Sequence, residues 1–361
     1  MYKICFVLPD TGRNPVGGVK MVYEYANRLV NDGCEVSILF MNGVVLSKFR
    51  LPERVRRIGA NFMTQIEPKW FNLDKRIKKI SMTERNYQRK IDGVDVCIAT
   101  AVETADLVQN HLKANKKVYF IQDYENWHVS EKNLRKTYNF GMANIVISKW
   151  LKKTVDQYSK KPAILIQNPI DTSIYSAKVE INKRKAHSIA LLYHLGKHKG
   201  LNNALEAIKR LKEIYPDLTV QMFGVPDRPE EFPDWINYHQ RASQEETVKI
   251  YNSSQVFLCS TLNEGFGLTG FEAMSCGACL VSTNYTGVRE YAIDEFNALL
   301  SPVGDIDAQV HNVVRVFEDA DLREMLSQNG INTGSKYSWE EATQKFEQAI
   351  GYKKVDSGLT S

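Results

Sequence analysis

Short apolar runs alternate with longer segments of helical period along the chain, and the alternation stops once and restarts. Residues 3–8 (KICFVL), 35–40 (EVSILF), 94–99, 118–121, 144–148 and 163–167 read as buried strands of the parallel type. Between the first two, Val19, Val22, Tyr23, Ala26, Leu29 and Val30 share one helical face, and Gly33 ends that helix. Further helices are predicted over 102–112 and 149–158, whereas residues 43–92 are the least regular part of the first half. Asn168-Pro169-Ile170-Asp171 breaks the pattern. It resumes with strands at 188–193, 218–223, 255–260, 281–283 and 297–300 and helices over 201–214 and 244–251, before a last helix over 339–350 and a polar tail from Lys353 expected to be disordered. Strands alternating with helices in two sets predict two α/β domains with parallel sheets, and 361 residues suffice for two cores. The boundaries read as 1–168, 169–337, a terminal helix over 338–352 and a tail over 353–361.

The most informative stretch is 261–273 (TLNEGFGLTGFEA), which follows the predicted strand 255–260. Gly265 and Gly267 lie between Glu264 and Glu272, and an apolar-periodic segment begins at Leu268. Strand, glycine turn and helix leave unpaired amides at a helix N-terminus, a site for a phosphate or a sugar oxygen. Two carboxylates would repel the phosphate, so they are expected to meet neutral hydroxyls on either side of it. Hydroxyls, phosphates and hydroxyls in series describe a nucleotide sugar.

Composition narrows the setting. The 43% hydrophobic and 25% charged fractions are ordinary for a soluble chain, and no apolar run approaches the roughly 18–20 residues that span a bilayer. The N-terminal apolar stretch is too short for a signal peptide, so a cytoplasmic protein is expected. Cys5, Cys34, Cys97 and Cys259 read as small hydrophobes, and Cys276 and Cys279 read as structural despite their redox spacing. The net charge of +5 conceals an asymmetry: residues 1–170 hold 28 Lys and Arg against 16 Asp and Glu, the remainder 19 against 26. Much of the excess lies in residues 48–90, from Lys48 through Arg54, Arg56, Arg57, Lys75, Arg76, Lys78 and Lys79, interleaved with Trp70, Phe71 and Leu73. Such a segment fits either an anionic membrane surface or acceptor, or a plainly solvated face. Nucleic acid is excluded as a partner, because the acidic half repels it and no recognition motif is present.

Two loops in the first half carry candidate chemistry. Gly17-Gly18 starts the first helix, although the G-x-G-x-x-G dinucleotide fingerprint is absent. The strand at 118–121 runs into Gln122-Asp123-Tyr124-Glu125-Asn126-Trp127-His128, a polar and aromatic cluster where ligands collect in parallel sheets.

Glu264 and Glu272 with seven residues between them, inside EGFGLTGFEAMSCG, resemble the E-x7-E motif of glycosyltransferase family 4. Asn168-Pro169-Ile170-Asp171 resembles that family's N-G-x-D with proline for glycine, Lys199-Gly200 its K-G, and residues 286–290 (TGVRE) its G-G-x-x-E. The resemblance implies the GT-B fold, two Rossmann-like domains facing each other across a cleft, with the C-terminal helix returning to the N-terminal domain. It implies a retaining glycosyltransferase, hexosyl or deoxyhexosyl, acting in surface polysaccharide or glycoconjugate synthesis on the inner face of the membrane. Its donor would be a UDP-, GDP- or dTDP-sugar and its acceptor a glycan or lipid-linked molecule. On this reading Glu272 holds the ribose, Glu264 the transferred sugar, and the amides of Phe266, Gly267 and Leu268 the sugar and diphosphate, with Gly265 also on the donor side. Lys199 neutralises the leaving diphosphate, Gly17 and Gly18 let the first helix approach it, and Gln122, Asp123 and Tyr124 face the acceptor, with Asp123 a candidate catalytic group. No cofactor or metal is implied, and Asp305-Ile306-Asp307 reads as a helix cap rather than a metal-binding pair.

Two positions depart from the family pattern. His194 stands where many members carry arginine, and Gln122 where many carry histidine. These departures leave room for a catalytically silent GT-B subunit that binds a glycan or partner protein, and for a sugar-nucleotide epimerase on the same scaffold.

Overall fold

The computed structural model describes residues 1–42, 52–84, 86–127 and 129–354. The predicted basic segment begins at Lys48, the acceptor-side cluster ends at His128 and the tail continues past 354; these parts lie outside the described residues. Contacts divide the chain into two compact units, Met1–Gln167 joined by the chain from Glu340 onward, and Asn168–Trp339.

The first unit is built on seven parallel strands: β1 (Lys3–Leu8), β2 (Glu35–Phe40), β3 (Lys78–Ser81), β4 (Val96–Ala99), β5 (Lys116–Ile121), β6 (Ala143–Val146) and β7 (Ile164–Leu165). They lie in the order β3-β2-β1-β4-β5-β6-β7, so the chain switches direction across the sheet between β1 and β4. The second unit repeats the plan with β8 (Ser188–Tyr193), β9 (Thr219–Gly224), β10 (Ile236–Gln240), β11 (Val256–Cys259), β12 (Cys279–Thr283) and β13 (Ala298–Ser301). Their order is β10-β9-β8-β11-β12-β13, with the switch between β8 and β11. In open parallel sheets, ligands bind beyond the carboxyl ends of the strands at such a switch.

Central strands follow the apolar runs closely because they are buried on both faces. Both strands that the hydrophobic pattern omits, β3 and β10, are sheet edges with lysine or polar side chains facing water. The irregular stretch 43–92 contains β3 and a fourteen-residue helix, Glu53–Ile66, which buries Ala60 and Thr64 while its larger apolar residues Val55, Ile58 and Phe62 face outward. The predicted strand 163–167 contracts to the two edge residues Ile164 and Leu165, paired only with Ile145 and Val146. The helix expected over 102–112 is α-helical over Val102–Asp106 and widens to a π-turn over Leu107–His111. The six cysteines are free, and burial pushes the Cys276 and Cys279 thiols up to about 12, which leaves them inert.

The last helix, Trp339–Ile350, packs on the first unit. Phe346, wholly buried, stacks on Tyr25 with ring centroids 4.2 Å apart and meets Phe120 edge-on at 5.5 Å. The Tyr2 hydroxyl donates to Ile350 O at 2.9 Å and closes the helix end onto the N-terminus.

Beyond β5, Glu125 is buried; its Oε2 accepts the Val102 N–H at 2.5 Å and lies 3.5 Å from the Tyr119 hydroxyl. Burial pushes its carboxyl up to about 8, against the pull of that N–H.

Phe346→Ala is expected to lower stability by about 3–5 kcal/mol, measured by chemical denaturation, because a fully enclosed aromatic ring is lost. Glu125 is an acid whose folded value of about 8 exceeds the ordinary glutamate value of 4.5, so it favours the fold below the lower value and loses that contribution as pH rises through the upper one. Within that window Glu125→Gln, which keeps an acceptor for Val102, should gain on the native chain by about 1.4 kcal/mol per pH unit. Parallel stability curves for the two proteins from pH 5 to 9 would contradict this.

Candidate functional site

In the second unit, three loops converge at the carboxyl ends of β8, β11 and β12. The first runs from His194 through the 3-10 turn Lys197–Lys199 to Gly200, which opens the helix Leu201–Ile214. Gly200 has φ +63°, and a Cβ there would lie 1.9 Å from Ser260 O at the end of β11. The second loop bonds back to the first, with Leu262 N–H donating to His198 O at 2.7 Å. The third contains Gly287, where a Cβ would come within 2.4 Å of Glu264 O and 2.7 Å of Phe266 N. No side chain fits at either position, so these glycines set how closely the loops approach.

This closure brings Lys199 Nζ onto Glu264 Oε1 as an ion pair, with both side chains largely shielded from water. Gly267 caps the next helix, Leu268–Ser275, at φ +95°; a Cβ there would strike the Tyr285 hydroxyl. The helix ladder begins with Phe271 N–H donating to Gly267 O, so the amides of Leu268, Thr269 and Gly270 have no partner within the helix. Tyr291 Oη donates to Gly267 O at 2.8 Å and lies 3.4 Å from Tyr285 Oη, which fixes the turn from beneath. One turn into the helix, buried Glu272 accepts the Tyr251 hydroxyl on Oε2 at 3.3 Å.

His194 accepts the Gly196 N–H on Nδ1 at 2.9 Å, which leaves its proton on Nε2. Partial desolvation, then the nearby Lys199 charge, holds it below the usual histidine range. His198, 5.8 Å away ring to ring, is shifted downward for the same reasons.

The first unit gathers a second group of residues. Gly17 and Gly18 start the helix Gly17–Asn31, and Gln122 at the end of β5 donates from Nε2 to Gly18 O at 3.1 Å. A Cβ at Gly18 would press on Gln122 at 3.3 Å. Asp123 Oδ1 accepts the Tyr124 N–H at 2.8 Å, and the Tyr124 hydroxyl accepts Arg135 Nε at 3.3 Å. Glu125 lies inward of this loop, while Trp127 is 57% exposed.

Of the sequence-derived residues, His194, Lys199, Glu264, Gly265, Phe266 and Gly267 lie on the converging loops of the second unit, and Leu268 and Glu272 in the first turns of the helix that follows. Gly17, Gly18, Gln122, Asp123 and Tyr124 lie at the strand ends of the first. Sequence reasoning missed Tyr251, Tyr285, Tyr291 and His198, and it placed Glu125 in the loop cluster without its burial. A hydroxyl-bearing aromatic in an otherwise apolar face was the only signal for Tyr251. The D-x-D lookalike is structural: Asp305 Oδ1 caps Ala308 N–H at 2.9 Å and Asp307 pairs with Arg210 at 2.5 Å.

Residues 175–333 match the family described as glycosyl transferases group 1. An uncharacterized glycosyltransferase of Methanocaldococcus jannaschii is 22% identical over 60% of this chain and 59% of its own length. The O-antigen chain mannosyltransferase B of Escherichia coli is 31% identical over 30% of this chain and 28% of its own. In both, the chain spans less than two thirds of the relative's length. Among solved structures, Anabaena HepE in complex with UDP-glucose superposes with a TM-score of 0.74 at 14% identity, covering 97% of this chain and 100% of that one. At that identity the likeness shows the fold, which is GT-B. The family match at 175–333 covers most of the second unit.

Proposed function

We propose that this chain is a retaining, metal-independent glycosyltransferase of family 4. It moves a hexosyl or deoxyhexosyl group from a UDP-, GDP- or dTDP-sugar to a glycan or lipid-linked acceptor, in surface polysaccharide synthesis at the inner face of the membrane. The Lys199–Glu264 ion pair beside the open first turn of the Leu268–Ser275 helix carries the reading. A diphosphate offers Lys199 more negative charge than one carboxylate does, and the helix-start amides favour the same anion. Glu264, exchanged out of the pair, then accepts from hydroxyls of the sugar. His194 Nε2–H donates to a phosphate oxygen, and Glu272, steadied by Tyr251, accepts the ribose hydroxyls.

In the transfer, the bond from sugar C1 to the diphosphate oxygen breaks and the acceptor oxygen bonds to C1 on the same face. The acceptor proton passes to the departing phosphate oxygen. Charge on that oxygen grows as the bond breaks, so Lys199 acts most strongly in the transition state. Gln122, Asp123 and Tyr124 serve the acceptor, and Asp123 is the carboxylate suited to orient its hydroxyl. The occupied roles of Asp305 and Asp307 support a mechanism without a metal at that pair. The donor class is supported by HepE, solved with UDP-glucose, and the polysaccharide setting by the O-antigen relative.

With chelator present, one of UDP, GDP, ADP or dTDP should raise the melting temperature, and Glu272→Ala should weaken that nucleotide at least about tenfold through the lost charged hydrogen bonds. Stabilisation by none of the four would favour a silent binding subunit instead. Lys199→Ala is expected to cut turnover by roughly 10²–10³-fold while weakening nucleotide binding far less. Equal losses in both would contradict the leaving-group role.

A further inference from the structure

The Glu53–Ile66 helix faces the wrong way for an ordinary surface helix. Such helices turn apolar residues inward and polar ones outward. Here the inward side is small and hydrogen-bonded, with Ala60 and Thr64 its buried residues. Arg57 donates from Nη2 to Thr83 O at 2.8 Å, and the buried Thr64 hydroxyl accepts Asn42 Nδ2 at 3.0 Å. Asn42 also donates to Ser81 Oγ at 2.8 Å. On the opposite side Val55, Ile58 and Phe62, at helical spacing i, i+3 and i+7, are 49%, 70% and 63% exposed. A phenylalanine and an isoleucine this exposed on one stripe mark a surface that meets something apolar.

Charge around the stripe identifies the occupant. Residues 52–84 hold eight Lys and Arg against four Asp and Glu. Part of that excess is internally neutralised, through Arg57–Glu53, Arg76–Asp74 and Lys78–Glu35. Among the described residues no ion pair holds Arg54, which is exposed on the helix, or Lys69 and Lys75 just beyond it. Three side chains cover far less than the roughly 800 Å² per partner of a stable protein interface. A single helix lying flat in a bilayer surface needs only an apolar stripe flanked by cations, and anionic headgroups supply the countercharge.

The connection from this helix leads directly to a loop of the candidate site. Trp70, four residues past its end, donates from Nε1 to Gly12 O at 2.5 Å, in the loop that precedes Gly17 and Gly18. Tyr23 of the Gly17–Asn31 helix packs against Trp70 and Phe71 with ring centroids 6.0 and 5.4 Å apart.

We infer that the outward face of the Glu53–Ile66 helix docks on an anionic bilayer surface, with Val55, Ile58 and Phe62 entering the headgroup–acyl boundary and Arg54, Lys69 and Lys75 meeting the headgroups. The purpose of this contact, presenting the first unit to a lipid-linked acceptor, rests on the proposed function; the docking itself does not. The full chain is floated with vesicles of phosphatidylcholine alone and of equal parts phosphatidylcholine and phosphatidylglycerol. Binding is expected only to the anionic vesicles, with partitioning reduced at least about tenfold in Ile58→Ser/Phe62→Ser and clearly weakened in Arg54→Glu/Lys69→Glu. Nucleotide-dependent thermal stabilisation of the same variants should match the native chain, which shows them folded and scores donor binding separately. Failure of the native chain to float, equal binding to both vesicle types, or variants that float like the native chain would overturn the inference. So would a loss of oligomer mass, rather than of flotation, in the Ile58→Ser/Phe62→Ser variant, because the stripe would then belong to a second copy.

Discussion

A lysine and a glutamate 65 positions apart in the chain can form a shielded ion pair only where two backbones nearly touch, and the second unit is arranged around making that possible. Gly200 lets the loop after β8 rest on Ser260, and Gly287 lets the turn after β12 rest on Glu264 and Phe266. Lys199 and Glu264 then meet with little water between them. Gly267 completes the arrangement by turning the chain into the Leu268–Ser275 helix above Tyr285 and Tyr291. Added Cβ atoms at these three positions would push the loops apart before they altered any functional group.

The same contact decides the electrostatics of the site without ligand. A buried cation alone is costly, and so is a buried carboxylate; paired, each satisfies the other. An anion that takes the lysine must therefore release the glutamate, rather than ionise or dehydrate a bare charge. Two imidazoles beside the pair, His194 and His198, are both held below the usual histidine range by partial desolvation and by the Lys199 charge. In the first unit the corresponding device is a hydrogen bond, Gln122 to Gly18 O, which ties the end of β5 to the start of the first helix. Behind it, Glu125 binds the next helix start as a largely neutral acid at pH 7.

Surface and core follow opposite logic in the Glu53–Ile66 helix. Its inward side buries only Ala60 and Thr64 and is held by hydrogen bonds with Thr83 and Asn42, so little of its apolar surface is spent on the core. That frees its apolar residues for another environment.

The sequence by itself determined the α/β alternation, the central strands and the glycine-flanked pair Glu264 and Glu272, because doubly buried strands demand apolar runs and a tight turn demands glycine. It also gave the break at Asn168, where the second alternation begins. Edge strands β3 and β10 escaped it, since half of each faces water and carries no apolar signature. The Glu53–Ile66 helix escaped it because periodicity reports amphipathicity without saying which side is inward. Only the tertiary structure decided that Lys199 meets Glu264, that Tyr251 steadies Glu272 and that Glu125 is buried. Each of those depends on residues brought together across long stretches of chain, or on enclosure by other elements, and neither is written in local pattern.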